Sequence, residues 1–226
     1  TRPINEKTFK IFNSFVRTLK IIFTTKKDID LYINKLCNIF EKTLIVFTPS
    51  PKFQVYNNEF NIALHFISNK FKLNYIYTMG LEVYNNIFNN PWTSQLTGKR
   101  ILIINDNCEL IKKQLEYKHE IYNKDLFPDC KFIFLDFNFK QNKNFIEQYE
   151  YLCNKIKNNI DKFDIVLCSC YGYSNLICEY IYNLNKSSIC IDNNLFLLYF
   201  GICNSNFIKN KTDIIKLHKN TYWKVI

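Results

Sequence analysis

The chain has 226 residues, of which 47% are hydrophobic, so it can bury a substantial core in one large domain or two small ones. Its net charge of +10 is compatible with nucleic acid, anionic lipid or a phosphorylated ligand. Lysines are spread along the chain with acids among them, which favours a solvated surface over a nucleic-acid partner, and no apolar run reaches the length of a membrane span.

The first third of the chain predicts helices joined to short strands. Apolar residues at helical spacing indicate amphipathic helices over residues 7–19, 29–40 and 60–71, and Thr25 to Asp28 before the second resembles a capping box. Residues 43–48 and 74–78 have the composition of strands. We predict a single domain in which residues 1–78 form an N-terminal elaboration and residues 79–226 form the core.

The second half of the chain alternates strands with helices. Strands are predicted at residues 101–104, 131–135, 164–168 and 187–191, with a helical pattern in each interval. The unbroken apolar run at 101–104 is typical of a strand covered on both faces. This alternation predicts an α/β fold with a Rossmann-like, mainly parallel sheet and helices on both faces.

Polar loops follow three of these strands. Because the carboxyl ends of parallel strands meet at one edge of a sheet, we expect the loops to form a ligand-binding crevice. Their residues are Asn105, Asp106 and Asn107 in the first loop, Cys170, Tyr171, Gly172, Tyr173 and Ser174 in the second, and Asp192, Asn193 and Asn194 in the third.

Two residues of these loops carry alternatives. Gly172 permits a positive φ or a close ligand approach. A helix starting near Ser174 would direct its amino terminus at a phosphate; the alternative is a helix cap with no ligand. Asp106 either caps the helix that begins near Cys108 or points outward to a ligand. In the second case Asn105 and Asn107 would hydrogen-bond the backbone groups of the turn.

The nine cysteines lie mostly within apolar runs, which indicates buried thiols in a reducing, cytoplasmic type of compartment. Cys168 and Cys170 are the closest pair, and they lack a second pair at zinc-ligand spacing. The sequence contains neither a G-x-G-x-x-G fingerprint nor a P-loop, and no serine-histidine arrangement of a triad hydrolase.

A set of short motifs resembles bacterial proteins related to the GT-D-type glycosyltransferases, over roughly Thr24 to the end of the chain. The motifs are Leu81-Glu82-x-Tyr84, Pro91-Trp92 followed by Gly98-Lys99-Arg100-Ile101-Leu102-Ile103-Ile104, Ile111-Lys112-Lys113-Gln114, Leu126-Phe127-Pro128, Leu135-Asp136-Phe137-Asn138-Phe139, Phe163-Asp164-Ile165-Val166-Leu167 with Tyr171-Gly172, Phe200-Gly201-Ile202 and Tyr222-Trp223. A compositional bias toward Asn, Lys, Ile and Phe also fits a giant virus or a protist.

This resemblance implies sugar transfer from a nucleotide-sugar donor to a glycan or protein acceptor, with a divalent ion such as Mn²⁺ or Mg²⁺ as a candidate cofactor. The candidate acids for base or metal roles are Asp106, Glu82 and Asp192. The candidate donor contacts are Asn105, Asn107, Tyr171, Gly172, Tyr173, Ser174, Asn193 and Asn194.

The sequence also departs from these relatives. Where they carry an acidic motif, residues 15–20 contain no acid, so the motif either precedes residue 1 or has diverged. The relatives' glycine pair is replaced at Asn193 and Asn194, and their His-Pro-Phe loop is Asn105-Asp106-Asn107 here. The alternative is therefore a catalytically inactive binding or scaffold domain that keeps the fold.

Overall fold

The computed structural model describes residues 20–42, 45–49, 69–70, 74–78, 91–138, 143–203, 205 and 219–226. The predicted helix at 7–19 lies outside these residues, as do most of the one at 60–71 and the candidate acid Glu82. The elements are α1 (Lys26–Lys42), β1 (Ile45–Pro49), β2 (Asn74–Thr78), β3 (Arg100–Asn105), α2 (Cys108–Leu115), β4 (Lys131–Asp136), α3 (Phe145–Lys157), β5 (Ile165–Cys168), α4 (Ser174–Asn183), β6 (Ser187–Cys190), α5 (Asn193–Leu198), β7 (Ile202–Cys203) and β8 (Lys224–Val225).

The core is a four-stranded, all-parallel sheet in the order β4-β3-β5-β6. In its register Ile103 stands between Phe134 on one neighbour and Leu167 on the other. The α/β class and the parallel sheet are thus confirmed. Two further parallel pairs, β1 with β2 and β7 with β8, form separate two-stranded sheets.

Helices cover both faces of this sheet. The side chains of β3 alternate between two apolar cores: Ile101 and Ile103 pack with α2 and α5, whereas Leu102 and Ile104 pack with α3 and α4. From β3 the chain crosses to β4 in one direction and then to β5 and β6 in the other. If all crossovers share one hand, α2 must lie on the face opposite α3 and α4, as observed.

The first described helix, α1, begins with the predicted capping box. The Thr25 hydroxyl accepts from the Asp28 N–H, and the Asp28 carboxylate accepts from the N–H groups of Thr24 and Thr25. Burial alone raises the pKa of Asp28, but these hydrogen bonds outweigh it and lower the pKa. The helix packs against α3 and α4, so it continues one layer of the core.

The amino-terminal edge of the sheet is joined by a charged clamp. The Arg100 guanidinium contacts the Asp164 carboxylate at 2.6 Å, and the Arg100 N–H donates to the same carboxylate at 2.8 Å. The clamp ties the start of β3 to the start of β5. It lowers the pKa of Asp164 to about 2, mainly through the side-chain hydrogen bond from Arg100.

Beyond α5 the chain turns at Gly201, whose φ is +65°. A Cβ atom at this position would lie 2.7 Å from Cγ2 of the buried Ile121. Glycine is therefore required here both by the backbone angle and by the space. Within the described part of the chain, no helix combines the length and apolarity needed to cross a membrane.

Candidate functional site

The three predicted loops meet at the carboxyl ends of β3 and β5, the point where the strand order reverses. The connection from β3 leads to one side of the sheet, and the connection from β4 returns to β5 on the other side. Loops on either side of such a point diverge and leave a crevice, the usual ligand site of open α/β sheets. Asp106, Tyr171 and Asn193 lie together here.

The centre of the crevice is a contact between a lysine, a phenol and a carboxylate. Lys20 Nζ lies 2.5 Å from Asp106 Oδ2 and 2.6 Å from the Tyr171 hydroxyl oxygen. The Tyr171 hydroxyl donates to the same carboxylate oxygen at 2.8 Å. The side chain of Lys20 is 31% exposed and that of Asp106 is 18% exposed, so a ligand can reach both.

Tyr171 is held as a neutral phenol. Burial raises its pKa, and so does the negative charge of Asp106 beside it. Its hydroxyl donates to Asp106 and accepts from Lys20 and, at 3.3 Å, from Asn193. One donor and two acceptor positions are the whole capacity of a phenol, so this side chain orients its neighbours rather than ionising.

Asn193, the first residue of α5, links the three loops. Its Oδ1 accepts from Asn105 Nδ2 at 2.8 Å and from the Ser169 hydroxyl at 3.1 Å, while its Nδ2 donates to Tyr171. Asn105 and Ser169 are almost fully buried. The half-buried Asn193 amide and its two buried partners together fix the relative positions of the loops.

The backbone of the site is strained at two residues. Tyr171 has φ +54° and Lys20 has φ +51°, values in the left-handed region that bulky L-residues rarely adopt. The side chains of these two residues contact each other, with Lys20 Nζ 3.9 Å from the centroid of the tyrosine ring. Backbone strain of this kind concentrates at functional sites, where the surrounding structure maintains it.

Asp106 does not cap α2. The helix has Asn107 at its N-cap position and no side-chain cap hydrogen bond. Asn105 instead accepts from the Asn107 N–H at 2.8 Å, which satisfies the turn and leaves the Asp106 carboxylate directed at Lys20 and Tyr171. The capping interpretation is wrong because the Asn105 side chain, two residues before Asn107, accepts the hydrogen bond that closes the turn.

The positive φ expected at Gly172 in the second loop is also wrong. Among the described glycines, positive φ occurs at Gly98 and Gly201, whereas in this loop Tyr171 takes the left-handed conformation. The carbonyl of Gly172 accepts from the Tyr32 hydroxyl of α1 at 3.3 Å. The loop therefore turns one residue earlier than its glycine indicates.

Other predicted site residues have structural partners. Tyr173 is buried in the core, and the Ser174 hydroxyl accepts from the Cys170 N–H at 2.8 Å. Asp192 caps α5 by accepting from two backbone N–H groups, and Asn194 is exposed beside it. Asn107 contacts the crevice, since its Nδ2 donates to Asp106 Oδ1 at 2.7 Å.

In the described part of the crevice, the candidate acids are engaged by other partners rather than arranged around a metal ion. An ammonium group 2.5 Å from Asp106 Oδ2 stands where a cation would bind, and Asp192 is committed to its helix cap. Among the residues that the structure describes, no three His, Cys, Asp or Glu side chains are grouped to hold a metal. We therefore assign no step to a metal.

The sequence interpretation missed Lys20. Lysine is common in this chain, and this one lies 86 and 151 residues from its partners, so no local pattern indicates it. It ends the stretch 15–20 that was singled out for its lack of an acid. The structure thus places a cation in the crevice where the resemblance led us to look for a carboxylate.

Four thiols lie near one another behind the site, of which Cys168 and Cys170 are buried, Cys178 is half-buried and Cys190 is exposed. Cys168 Sγ lies 3.3 Å from Cys170 Sγ, and the Cys178 thiol is within hydrogen-bonding reach of both Cys168 and Cys190. Burial raises the pKa of Cys168 well above its ordinary value, so this thiol is unreactive. All nine cysteines of the chain are free.

Comparisons of the chain with protein-family models, with curated proteins and with solved structures find no match. The resemblance to GT-D-type glycosyltransferases therefore stays a prediction that rests on the motifs quoted above.

Proposed function

We propose that the protein is a glycosyltransferase that moves a sugar from a nucleotide-sugar donor to a glycan or protein acceptor. The observation that carries this proposal is the meeting of Lys20, Asp106 and Tyr171 in the crevice between β3 and β5. The motif resemblance and the Rossmann-like arrangement of the sheet support the same interpretation. Its nine free thiols suit a reducing compartment such as the cytoplasm.

The chemistry of the crevice matches the parts of a nucleotide sugar. A carboxylate and an amide can exchange hydrogen bonds with the hydroxyl groups of a sugar, and Asp106 and Asn107 provide them. An ammonium group suits a diphosphate, and Lys20 provides it. The net charge of +10 also attracts an anionic donor.

In the proposed reaction the acceptor hydroxyl attacks the anomeric carbon of the donor sugar. The bond between that carbon and the diphosphate oxygen breaks, the electron pair leaves with the diphosphate, and the hydroxyl proton passes to a carboxylate. Asp106 is the candidate base, because it is the carboxylate that the described residues bring into the crevice. Tyr171 and Asn107 orient it by donating to its two oxygens.

Calorimetry with UDP-, GDP- and dTDP-sugars, with and without Mn²⁺, followed by measurement of released nucleoside diphosphate, tests the proposal. We expect one donor class to bind and Asp106→Asn to reduce turnover about 10²- to 10⁴-fold. The matched control is Asp125→Asn, because Asp125 also pairs with a lysine at 2.5 Å but lies outside the crevice. The absence of binding across the panel would refute the proposal.

A second candidate function is a binding domain without catalysis. Asp106 already accepts hydrogen bonds from Lys20, Tyr171 and Asn107, and a carboxylate so occupied is a poor base unless the ligand displaces a partner. Binding of a nucleotide sugar without turnover, unchanged by any acceptor, would favour this second function.

A further inference from the structure

We infer that Lys20 is the group that holds the diphosphate of the donor, in the role that a divalent metal would otherwise have. This inference rests on the proposed function for the identity of the ligand. It starts from the position of Lys20 Nζ, which enters the crevice from outside the four-stranded sheet and contacts residues after both β3 and β5. A diphosphate bound at this point would meet a positive charge first.

The ammonium group has capacity for a phosphate. It carries three N–H donors, and the described residues accept two of them, at Asp106 and Tyr171. The face of the Tyr171 ring supports it, with Nζ 3.9 Å from the ring centroid. A compact ammonium on a flexible stem can move toward an incoming anion without rearrangement of the loops.

Movement of Lys20 to a phosphate would also change Asp106. In the described state the two side chains neutralise each other at 2.5 Å. When the ammonium transfers to the diphosphate, Asp106 Oδ2 keeps the hydrogen bond from Tyr171 and gains room for an acceptor hydroxyl. Donor binding thus releases the carboxylate, so the crevice becomes competent for proton transfer only when the leaving group is in place.

The strained backbone supports this assignment. Lys20 is held at φ +51°, which costs free energy in a lysine, and the side chain so positioned reaches Tyr171 at φ +54°. A lysine that only neutralised a surface carboxylate could do so from an unstrained backbone conformation. The two strained residues together aim one cation at the carboxyl ends of the sheet.

The test uses inorganic pyrophosphate, the part common to all nucleoside diphosphates, with EDTA present. Lys20→Met is expected to weaken pyrophosphate binding about 10- to 100-fold, as for the loss of a charge-assisted hydrogen bond. The matched control is Lys118→Met, because Lys118 pairs with Asp125 at the same 2.5 Å and with similar exposure, 34% against 31%. The control is expected to bind as the unmodified protein does.

A second measurement needs no variant. Reductive methylation of the unmodified protein, with and without pyrophosphate, should show protection of Lys20 and unchanged labelling of Lys118. Equal labelling of Lys20 in both conditions, equal affinity of Lys20→Met, or binding that requires Mn²⁺ would overturn the inference. Pyrophosphate binding through Lys20 without binding of any nucleotide sugar would instead refute the proposed function alone.

Discussion

The amide of Asn193 offers the sharpest test of how the crevice is built. Asn193→Ala removes three hydrogen bonds, two accepted from Asn105 and Ser169 and one donated to Tyr171. Each such bond contributes about 0.5–1.5 kcal/mol, and the buried Ser169 hydroxyl also loses its acceptor. We expect a total loss of about 2–4 kcal/mol in the free energy of unfolding.

The matched control is the next residue. Asn194→Ala changes the same residue type in the same helical turn, but its side chain is exposed, so we expect a change within about 0.5 kcal/mol. Urea unfolding followed by tryptophan fluorescence, with far-UV circular dichroism as a second probe, measures both variants. Equal losses in the two variants, or no loss at Asn193, would show that the amide does not link the loops as described.

Three further predictions concern stability and the thiols. Gly201→Ala should lower the free energy of unfolding by about 2–4 kcal/mol, because it adds a clash with Ile121 to the strain of a positive φ. Gly98→Ala should lower it by only about 1–2 kcal/mol, because this residue has φ +72° but open space around it. Equal losses in urea unfolding would contradict this prediction. Asp164→Asn should cost about 1 kcal/mol at pH 7, since the ion pair with Arg100 is partly exposed. The pKa of Asp164 is lowered to about 2, so this contribution is complete above its ordinary value of 3.8 and disappears as the pH falls through 2. Chemical unfolding of both proteins from pH 6 to pH 2 should show the gap closing; a constant gap would exclude the carboxylate as its cause. Mass measurement of the non-reduced, unfolded and alkylated protein should count nine thiols, and any paired cysteines would contradict the free state.

The central strand β3 was predictable because burial on both faces requires an unbroken apolar run, whereas the edge strands β4 and β6 are only partly buried. In β3 every residue from Ile101 to Asn105 is buried, and the four predicted strand segments all recur as β3 to β6. The capping box of α1 was predictable for a different reason, since its partners Thr25 and Asp28 are three residues apart. Local spacing and unbroken apolar runs therefore carried this part of the fold.

The crevice was predictable in location but not in composition. The topology rule placed the loops correctly, yet Lys20 joins Asp106 and Tyr171 across 86 and 151 residues, a distance at which sequence pattern says nothing. Tyr171 takes a backbone angle that its residue type disfavours, so the adjacent glycine misdirected the interpretation. Asp106 is left free of the turn because Asn105, rather than Asp106, accepts the hydrogen bond from the Asn107 N–H.

The sequence separations within the crevice bear on how the protein folds as it is synthesised. Lys20 leaves the ribosome 151 residues before Tyr171, and Tyr171 precedes Asn193 by another 22. At a synthesis rate of roughly 5–20 residues per second, Lys20 is therefore made about 8–30 seconds before Tyr171. Because β3 also pairs with a strand more than sixty residues away, both the sheet and the crevice depend on slow, non-local contacts. The crevice is consequently complete only once the chain has been made through α5, so the contacts among Lys20, Tyr171 and Asn193 form late in folding.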